Sequence, residues 1–208
     1  MDTDVLTPNA RLLFPKLANF RSDFYLAGGT ALALQIKHRV SVDFDLFSDE
    51  VIRRQLLKEV ERVFPAAVSE VLVNNADELT LTVGDVKCTF LHYPFSPRLA
   101  LQEDGPIALL SVKEILATKA YTIGRRGEFK DYLDLYAGLH GKYATLGEVI
   151  DLARNKYSNA FNDRLFLEQL VYLEDIPDAP IVFLGRPVRR SEIEQYFRDA
   201  ISSLETNA

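Results

Sequence analysis

The stretch Phe24–Ser48, FYLAGGTALALQIKHRVSVDFDLFS, decides how the rest of the chain is read. It parses as a short apolar strand (Phe24–Ala27), a glycine turn into a helix (Gly28–Lys37) and a second strand (Val42–Phe47). Successive strand side chains point to opposite faces, so Asp43 and Asp45 share one face, with Cα atoms roughly 6.5 Å apart. Val42, Phe44 and Leu46 then turn the other way, into a core. Two carboxylates on one face, close to a glycine turn at a helix N-terminus, can hold a divalent cation beside a phosphate.

The remaining composition sets outer bounds. The 208 residues are 48% hydrophobic and 26% charged, as in an ordinary soluble globular chain. No run is apolar for long enough to span a bilayer, and the acidic start MDTDVLTPNARLLF lacks the basic-then-apolar order of a signal peptide. The single cysteine, Cys88, cannot form an intramolecular disulfide and suits a reducing cytoplasm. It falls in an apolar strand pattern, where a buried inert thiol is expected. A net charge of −6 argues against broad, non-specific nucleic-acid binding. Local basic clusters remain at Arg125, Arg126 and Lys130, and again at Arg186, Arg189 and Arg190.

Outward from the decisive stretch, Thr7-Pro8 forms a helix entry whose buried stripe would be Leu12, Leu13, Leu17 and Phe20, with Pro15 kinking or ending it. A helix is expected over Glu50–Phe64, with Val51, Leu56, Val60 and Val63 inward. Three strands follow at Val68–Asn74, Leu79–Val83 and Val86–Leu91, the last two joined by a tight Gly84-Asp85 hairpin. Beyond Gly105 the pattern becomes helical. Helices are expected from Ser111 to about Ile123, then at Phe129–Leu139, Leu146–Lys156, Arg164–Leu173 and Glu192–Leu204. Capping boxes are read at Ser111–Glu114 and Ser191–Glu194. The expected class is therefore α+β: a mixed-sheet core over residues 1–105, then a helical region, 106–208, packing on the core and closing its cleft.

The chemistry this permits is specific. Mg²⁺, or Mn²⁺ in its place, is held by few protein carboxylates together with waters and substrate phosphates, which suits a DxD pair. Gly28 and Gly29 let backbone approach a phosphate closely, at a helix end that presents free N–H groups. Thr30 can cap that helix or offer its hydroxyl to a phosphate oxygen.

GGTALAL followed by HRVSVDFDLFS resembles the signature of the AbiEii/AbiGii-type nucleotidyltransferase family, the toxin components of type IV toxin–antitoxin pairs, within the DNA-polymerase-β-like nucleotidyltransferase superfamily. A second similarity lies in SVKEILATKAYTIGRRGEFKDYLDLY, around Lys119-Ala120 and Lys130-Asp131 with Asp134 beside them. The resemblance implies metal binding by Asp43 and Asp45, nucleotide binding by Gly28, Gly29, Thr30 and Lys119, and a catalytic role for Asp131 alongside Asp43, Asp45 and Lys119. It implies a Mg²⁺–NTP substrate, transfer of a nucleoside monophosphate to a hydroxyl of tRNA or another RNA, and a cognate antitoxin. Arg125, Arg126 and Lys130 are the candidate acceptor-binding residues. One departure stands out. Many superfamily members carry a third acid on a later strand, and the equivalent strand here, VKCTFL, has Cys88 or Thr89 in that place. The alternative reading is thus a nucleotidyltransferase-like module that binds nucleotide, RNA or a protein without turnover. A metal-dependent glycosyltransferase using the DxD is a remoter option, because the chain lacks the long alternating βα pattern.

Overall fold

Pro15 has no backbone N–H to donate, and the first helix does not outlast it in α form. Helix α1 spans Pro8–Leu13 and passes into a 3₁₀ segment, Phe14–Phe20. Thr7 caps α1, its hydroxyl accepting from Ala10 N at 3.3 Å. The buried side chains of this segment are Ala10, Phe14, Leu17 and Phe20, whereas Leu12 is 72% exposed. The expected stripe therefore holds only in its second half, because on α1 it is Ala10 that faces inward, and Leu12, two residues or about 200° further round the helix, faces away.

The computed structural model describes residues 2–206, apart from the side chains of residues 126, 205 and 206. After the 3₁₀ segment come β1 (Tyr25–Ala27), α2 (Gly28–Ile36), β2 (Phe44–Ser48), α3 (Leu56–Val63), β3 (Val68–Asn74), β4 (Glu78–Val83) and β5 (Val86–His92). The five strands form one sheet in the order β1-β2-β5-β4-β3. β2 and β5 run parallel and the other neighbours antiparallel. The sheet is mixed, and the class α+β. The Gly84-Asp85 hairpin is present, with Val83 opposite Val86 and Gly84 at φ +66°.

Two boundaries differ from those the pattern suggested. β2 begins at Phe44, so Asp43 precedes the strand and Val42 is 48% exposed rather than in the core. α3 begins at Leu56, which leaves Val51 58% exposed. In both cases an isolated apolar residue extended a period beyond the hydrogen-bonded element that carries it.

One sheet face supplies the core of this unit. Phe44, Leu46, Cys88, Phe90, Leu79 and Leu81 are buried there. Phe14 stacks on Phe44, and the edge of Phe20 meets Phe90. The other face carries Tyr25, Asp45, Phe47, Thr80 and Thr89, since these pair across strands or alternate with the core residues. A return segment extends the sheet's connections: Leu26 N donates to Ala108 O and Leu110 N to Leu26 O, both at 2.8 Å.

The chain divides into two compact units, with the division between Ser111 and Val112. The second unit contains α4 (Val112–Arg126), α5 (Phe129–His140), α6 (Leu146–Tyr157), α7 (Asp163–Leu170) and α8 (Arg190–Thr206). α4 packs against α5, α6 and α7. Glu114 of α4 and Lys156 of α6 form an ion pair at 2.5 Å with neither side chain exposed. No helix among the described residues is long and apolar enough to cross a membrane.

Candidate active site

The site on the first unit starts from a backbone requirement. Gly28 opens α2 at φ +65°, a left-handed conformation that L side chains rarely adopt. Its neighbour across the β1–β2 ladder is set by register, Ala27 facing Asp45. The Asp45 carboxylate consequently lies against the first residue of the helix. A Cβ on Gly28 would overlap Asp45 Oδ2 and sit 3.1 Å from its Cγ and 3.2 Å from its Cβ. Glycine is needed here twice, for φ and for room.

Asp43 is placed by the loop between α2 and β2. Ser41 N donates to Val5 O at 2.8 Å, which ties that loop to the N-terminal segment. The Thr30 hydroxyl donates to the Asp43 carbonyl oxygen and lies 2.7 Å from Ser41 Oγ. A hydroxyl has one hydrogen, so Ser41 is the donor to Thr30. Thr30 is 1% exposed. Its hydrogen is spent on holding the loop that presents Asp43, so its place is beneath the site. Ser41, which the sequence reading did not single out, shares that task. Its only signal in the sequence is a small polar residue two positions before the first aspartate.

Both carboxylates are near enough to act on the Cys88 thiol. Burial first, then Asp45 and Asp43, push that thiol up to about 12. Cys88 is 2% exposed and its sulfur faces Val86 O at 3.8 Å. The thiol is neutral and inert, and it is no metal ligand in that state.

Asp45 also has a partner by register on the next strand, Thr89 of β5. The position opposite Asp45 on β5, where a third acid is expected, thus carries a hydroxyl. Among the described residues no group of three or more His, Cys, Asp or Glu side chains could hold a metal ion. A two-carboxylate site still fits Mg²⁺, which keeps several waters and takes its other oxygens from phosphates. The helix end strengthens that fit. Asp45 and an incoming phosphate would both be drawn to the N-terminus of α2, and two anions there repel unless a cation lies between them.

The helical unit holds the second motif in a different chemical state from a solvated lysine. Lys119 is 9% exposed, and its Nζ lies 2.6 Å from Asp131 Oδ1 and 2.9 Å from Asp134 Oδ2. Asp134 is fully buried. Burial opposes the lysine charge, but Asp134 and Asp131 outweigh it and raise the pKa above the usual lysine value. Lys119 is a fixed cation and no base. Two of its three N–H bonds are committed to those carboxylates. Asp131 has a second role as the third residue of α5, its Oδ2 accepting from Glu128 N at 3.0 Å in a capping box. Both of its oxygens are occupied.

The basic cluster is partly structural. Arg125 donates to Ala160 O at 2.6 Å and lies over the Tyr121 ring at 4.1 Å. Lys130 is half-buried. The side chain of Arg126 lies outside the described residues. In the other cluster Arg189 pairs with Glu192 at 2.7 Å, and Arg190 reaches Ile176 O at 2.8 Å and the Phe129 ring at 4.5 Å.

A glycine turn feeding a helix, followed by a strand with paired carboxylates in a mixed sheet, defines a nucleotidyltransferase fold, and comparison with known proteins agrees. MenT4, a nucleotidyltransferase toxin of Mycobacterium tuberculosis H37Rv, superposes with a TM-score of 0.64 at 18% identity, over 95% of this chain and 84% of its own. A crystal structure of ANT(2'')-Ia in complex with adenylyl-2''-tobramycin gives 0.53 at 16% identity, over 74% of this chain and 100% of that one. An uncharacterized protein of Aquifex aeolicus (strain VF5) is 29% identical over 194 residues, 89% of this chain and 90% of its own length. The family model described as "Nucleotidyl transferase AbiEii toxin, Type IV TA system" matches residues 11–208. The chain belongs to the AbiEii nucleotidyltransferase toxin family.

Proposed function

We propose that the protein transfers a nucleoside monophosphate from a Mg²⁺-bound NTP to a hydroxyl of an RNA acceptor, tRNA among the candidates. The observation that carries this is the Asp45 carboxylate seated against Gly28 at the N-terminus of α2. It joins a metal ligand and a phosphate cradle in one place. Asp43 and Asp45 would hold the ion, and Gly28 and Gly29 would let phosphate approach the backbone. Thr30 and Ser41 keep Asp43 in position. A bound Mg²⁺ would neutralise phosphate charge and bridge its oxygens. Lys119, with one N–H left over, would meet an anionic group of the substrate, and Asp131 would hold it in charge and direction. Lys130, with Arg125 and Arg126, would meet the acceptor.

Three things support this reading: the family, the fold shared with MenT4, and the nucleotidylated hydroxyl compound held in the ANT(2'')-Ia complex. As a family member the protein would act as the toxin of a type IV pair, restrained in the cytoplasm by a cognate antitoxin. Calorimetric titration with Mg²⁺ or Mn²⁺ and each NTP, paired with radiolabel transfer to total RNA, tests it. The expected result is labelled RNA that disappears in Asp43→Ala and Asp45→Ala. NTP binding without labelled product, with both variants as harmless as wild type in a growth assay, would leave the second reading, a binding module without turnover. The absence of a third carboxylate among the described residues is what keeps that reading in play.

A further inference from the structure

Aromatic rings gather in the second unit where α5 ends beside α8. Tyr136 and His140 are four residues apart on α5 and so share one face of it. Their rings stack, with centroids 5.1 Å apart and planes 21° from parallel. Tyr196 of α8 meets Tyr136 edge-on at 5.1 Å and His140 at 5.8 Å. Just past the helix end the Tyr143 ring covers Gly141, where a Cβ would come within 2.8 Å of Tyr143 Cε2. Leu139 and Phe197 of the same two helices are buried, whereas His140 is exposed, Tyr143 is 43% exposed, and Tyr136 and Tyr196 are half-buried. The rings sit at the rim of the packing and keep surface open to solvent.

Positive charge borders these rings. Arg186 Nη2 donates to both Glu192 oxygens, at 3.2 and 3.3 Å, and Arg189 Nε donates to the first at 2.7 Å. One carboxylate thus gathers two guanidiniums, which leaves a net positive charge. Their side chains are 79% and 77% exposed, so most of their N–H donors remain open to a ligand. The same groups lie close to the Tyr136 phenol: burial first, then Glu192, push it up, and Arg186 opposes them. At the end of α5 the carbonyls of Ala137, Gly138 and Leu139 accept from Gly141, Tyr143 and Lys142 at 2.9–3.0 Å. That blunts the negative helix end, which would otherwise repel a phosphate.

Resting on the proposed transfer to RNA, we infer that this patch docks an unpaired segment of the acceptor RNA, its bases stacking on Tyr136, His140 and Tyr143 and its phosphates meeting Arg186 and Arg189. Ring faces beside guanidiniums match the two surfaces of a single strand, base and backbone. A duplex hides its base faces within its own stack. A free nucleotide needs a concave site that buries most of its surface, and rings this open do not enclose one. A strand instead adds several weak contacts along its length. With a net charge of −6, the chain as a whole repels polyanions, so a local cationic border decides where one can approach.

The test titrates fluorescein-labelled oligo(A) RNA onto the full chain without metal or NTP, so its readout does not depend on transfer. His140→Ala and Tyr143→Ala, both at exposed positions, should each weaken binding by roughly 5- to 150-fold, the value of one stacked base. Tyr136→Phe should retain affinity and Tyr136→Leu lose it. Tyr172→Ala, which removes an exposed tyrosine after α7, should leave it unchanged. Arg186→Gln combined with Arg189→Gln should flatten the log–log salt dependence by about 1.4, since each single-strand phosphate contact contributes roughly 0.7. Oligo(A) binding at wild-type strength in His140→Ala and Tyr143→Ala overturns the inference, and RNA labelling by those variants would leave the transfer reaction standing. Conversely, binding through the patch with no RNA ever labelled defeats the transfer reaction and leaves the docking surface. Duplex RNA or AMP bound as tightly as oligo(A) also overturns it. NMR of the wild-type chain decides without any variant: oligo(A) should move the His140 ring protons upfield, in a chain with three histidines. Unmoved His140 signals at saturating oligo(A) refute the inference.

Discussion

The sharpest consequence of the geometry is a matched pair of glycine substitutions. Gly28 and Gly84 adopt nearly the same left-handed backbone, φ +65° and +66°. Alanine in that region costs roughly 1–2 kcal/mol, offset by about 0.4–1 kcal/mol from a less flexible unfolded chain. Each variant should therefore lose on the order of 1 kcal/mol from the backbone alone. Their surroundings differ. A Cβ at Gly84 meets nothing within 4 Å, whereas one at Gly28 overlaps Asp45 Oδ2 and reaches 3.1 Å from Cγ. That carbon–carbon approach is inside the optimum of about 3.5–4.0 Å. The carboxylate must swing off its rotamer, at about 0.5–1.5 kcal/mol, or shift by a substantial fraction of an ångström. A misplacement of about 1 Å at a reacting centre costs on the order of 10²-fold in rate. Urea unfolding of both variants, alongside radiolabel transfer and Mn²⁺–NTP titration, measures the two effects separately. Gly84→Ala should be slightly less stable and fully active. Gly28→Ala should be further destabilised by about 1 kcal/mol and impaired in transfer by about 10²-fold. Equal transfer in the two variants would refute the placement of Asp45 at the helix end.

Lys119→Met should destabilise the protein by about 3–5 kcal/mol in urea unfolding, because the buried Asp134 and the neighbouring Asp131 lose the ammonium held between them; a loss below about 1 kcal/mol would contradict the buried triad. The folded pKa of Lys119 is raised, so its contribution is complete below the unfolded lysine value near 10.4 and fades only as pH climbs through the higher folded value. Titrating Lys119→Met against wild type between pH 6 and 9 should show a constant stability difference. Cys88 should resist alkylation in the native chain at pH 8 and react once unfolded; stoichiometric native labelling would show the thiol is not sealed. Its folded pKa is raised to about 12, so its contribution is constant at neutral pH and declines above the ordinary thiol value near 8.5, where the unfolded thiol ionises first. Thr145→Ala removes the hydroxyl that accepts from Glu148 N at 3.2 Å and should cost about 1 kcal/mol by thermal or urea unfolding.

Much of this protein was legible in one dimension because the relevant interactions are local. The period-two alternation of FDLF and VKCTFL placed the strands, and Thr7-Pro8 and Gly84-Asp85 marked a helix start and a hairpin. Each is decided by residues within a few positions of one another. The spacing GGT to DFD could be read for the same reason. Errors came where a local period continued past its hydrogen bonds, as at Val42 and Val51, or where α1 buried Ala10 rather than Leu12 on its inward face. Register and hydroxyl direction lie beyond such reading. That Asp45 abuts Gly28, that Thr30 spends its hydrogen on the Asp43 carbonyl, and that Thr89 stands opposite Asp45 depend on which strands pair and in what phase. Lys119 likewise was marked only by the resemblance, and its buried pairing with Asp131 and Asp134 on the next helix is visible only in the fold. The sequence by itself determined the elements and the residue types of the site. Only tertiary structure decided their partners, because burial and donor–acceptor matching are properties of residues brought together from distant points of the chain.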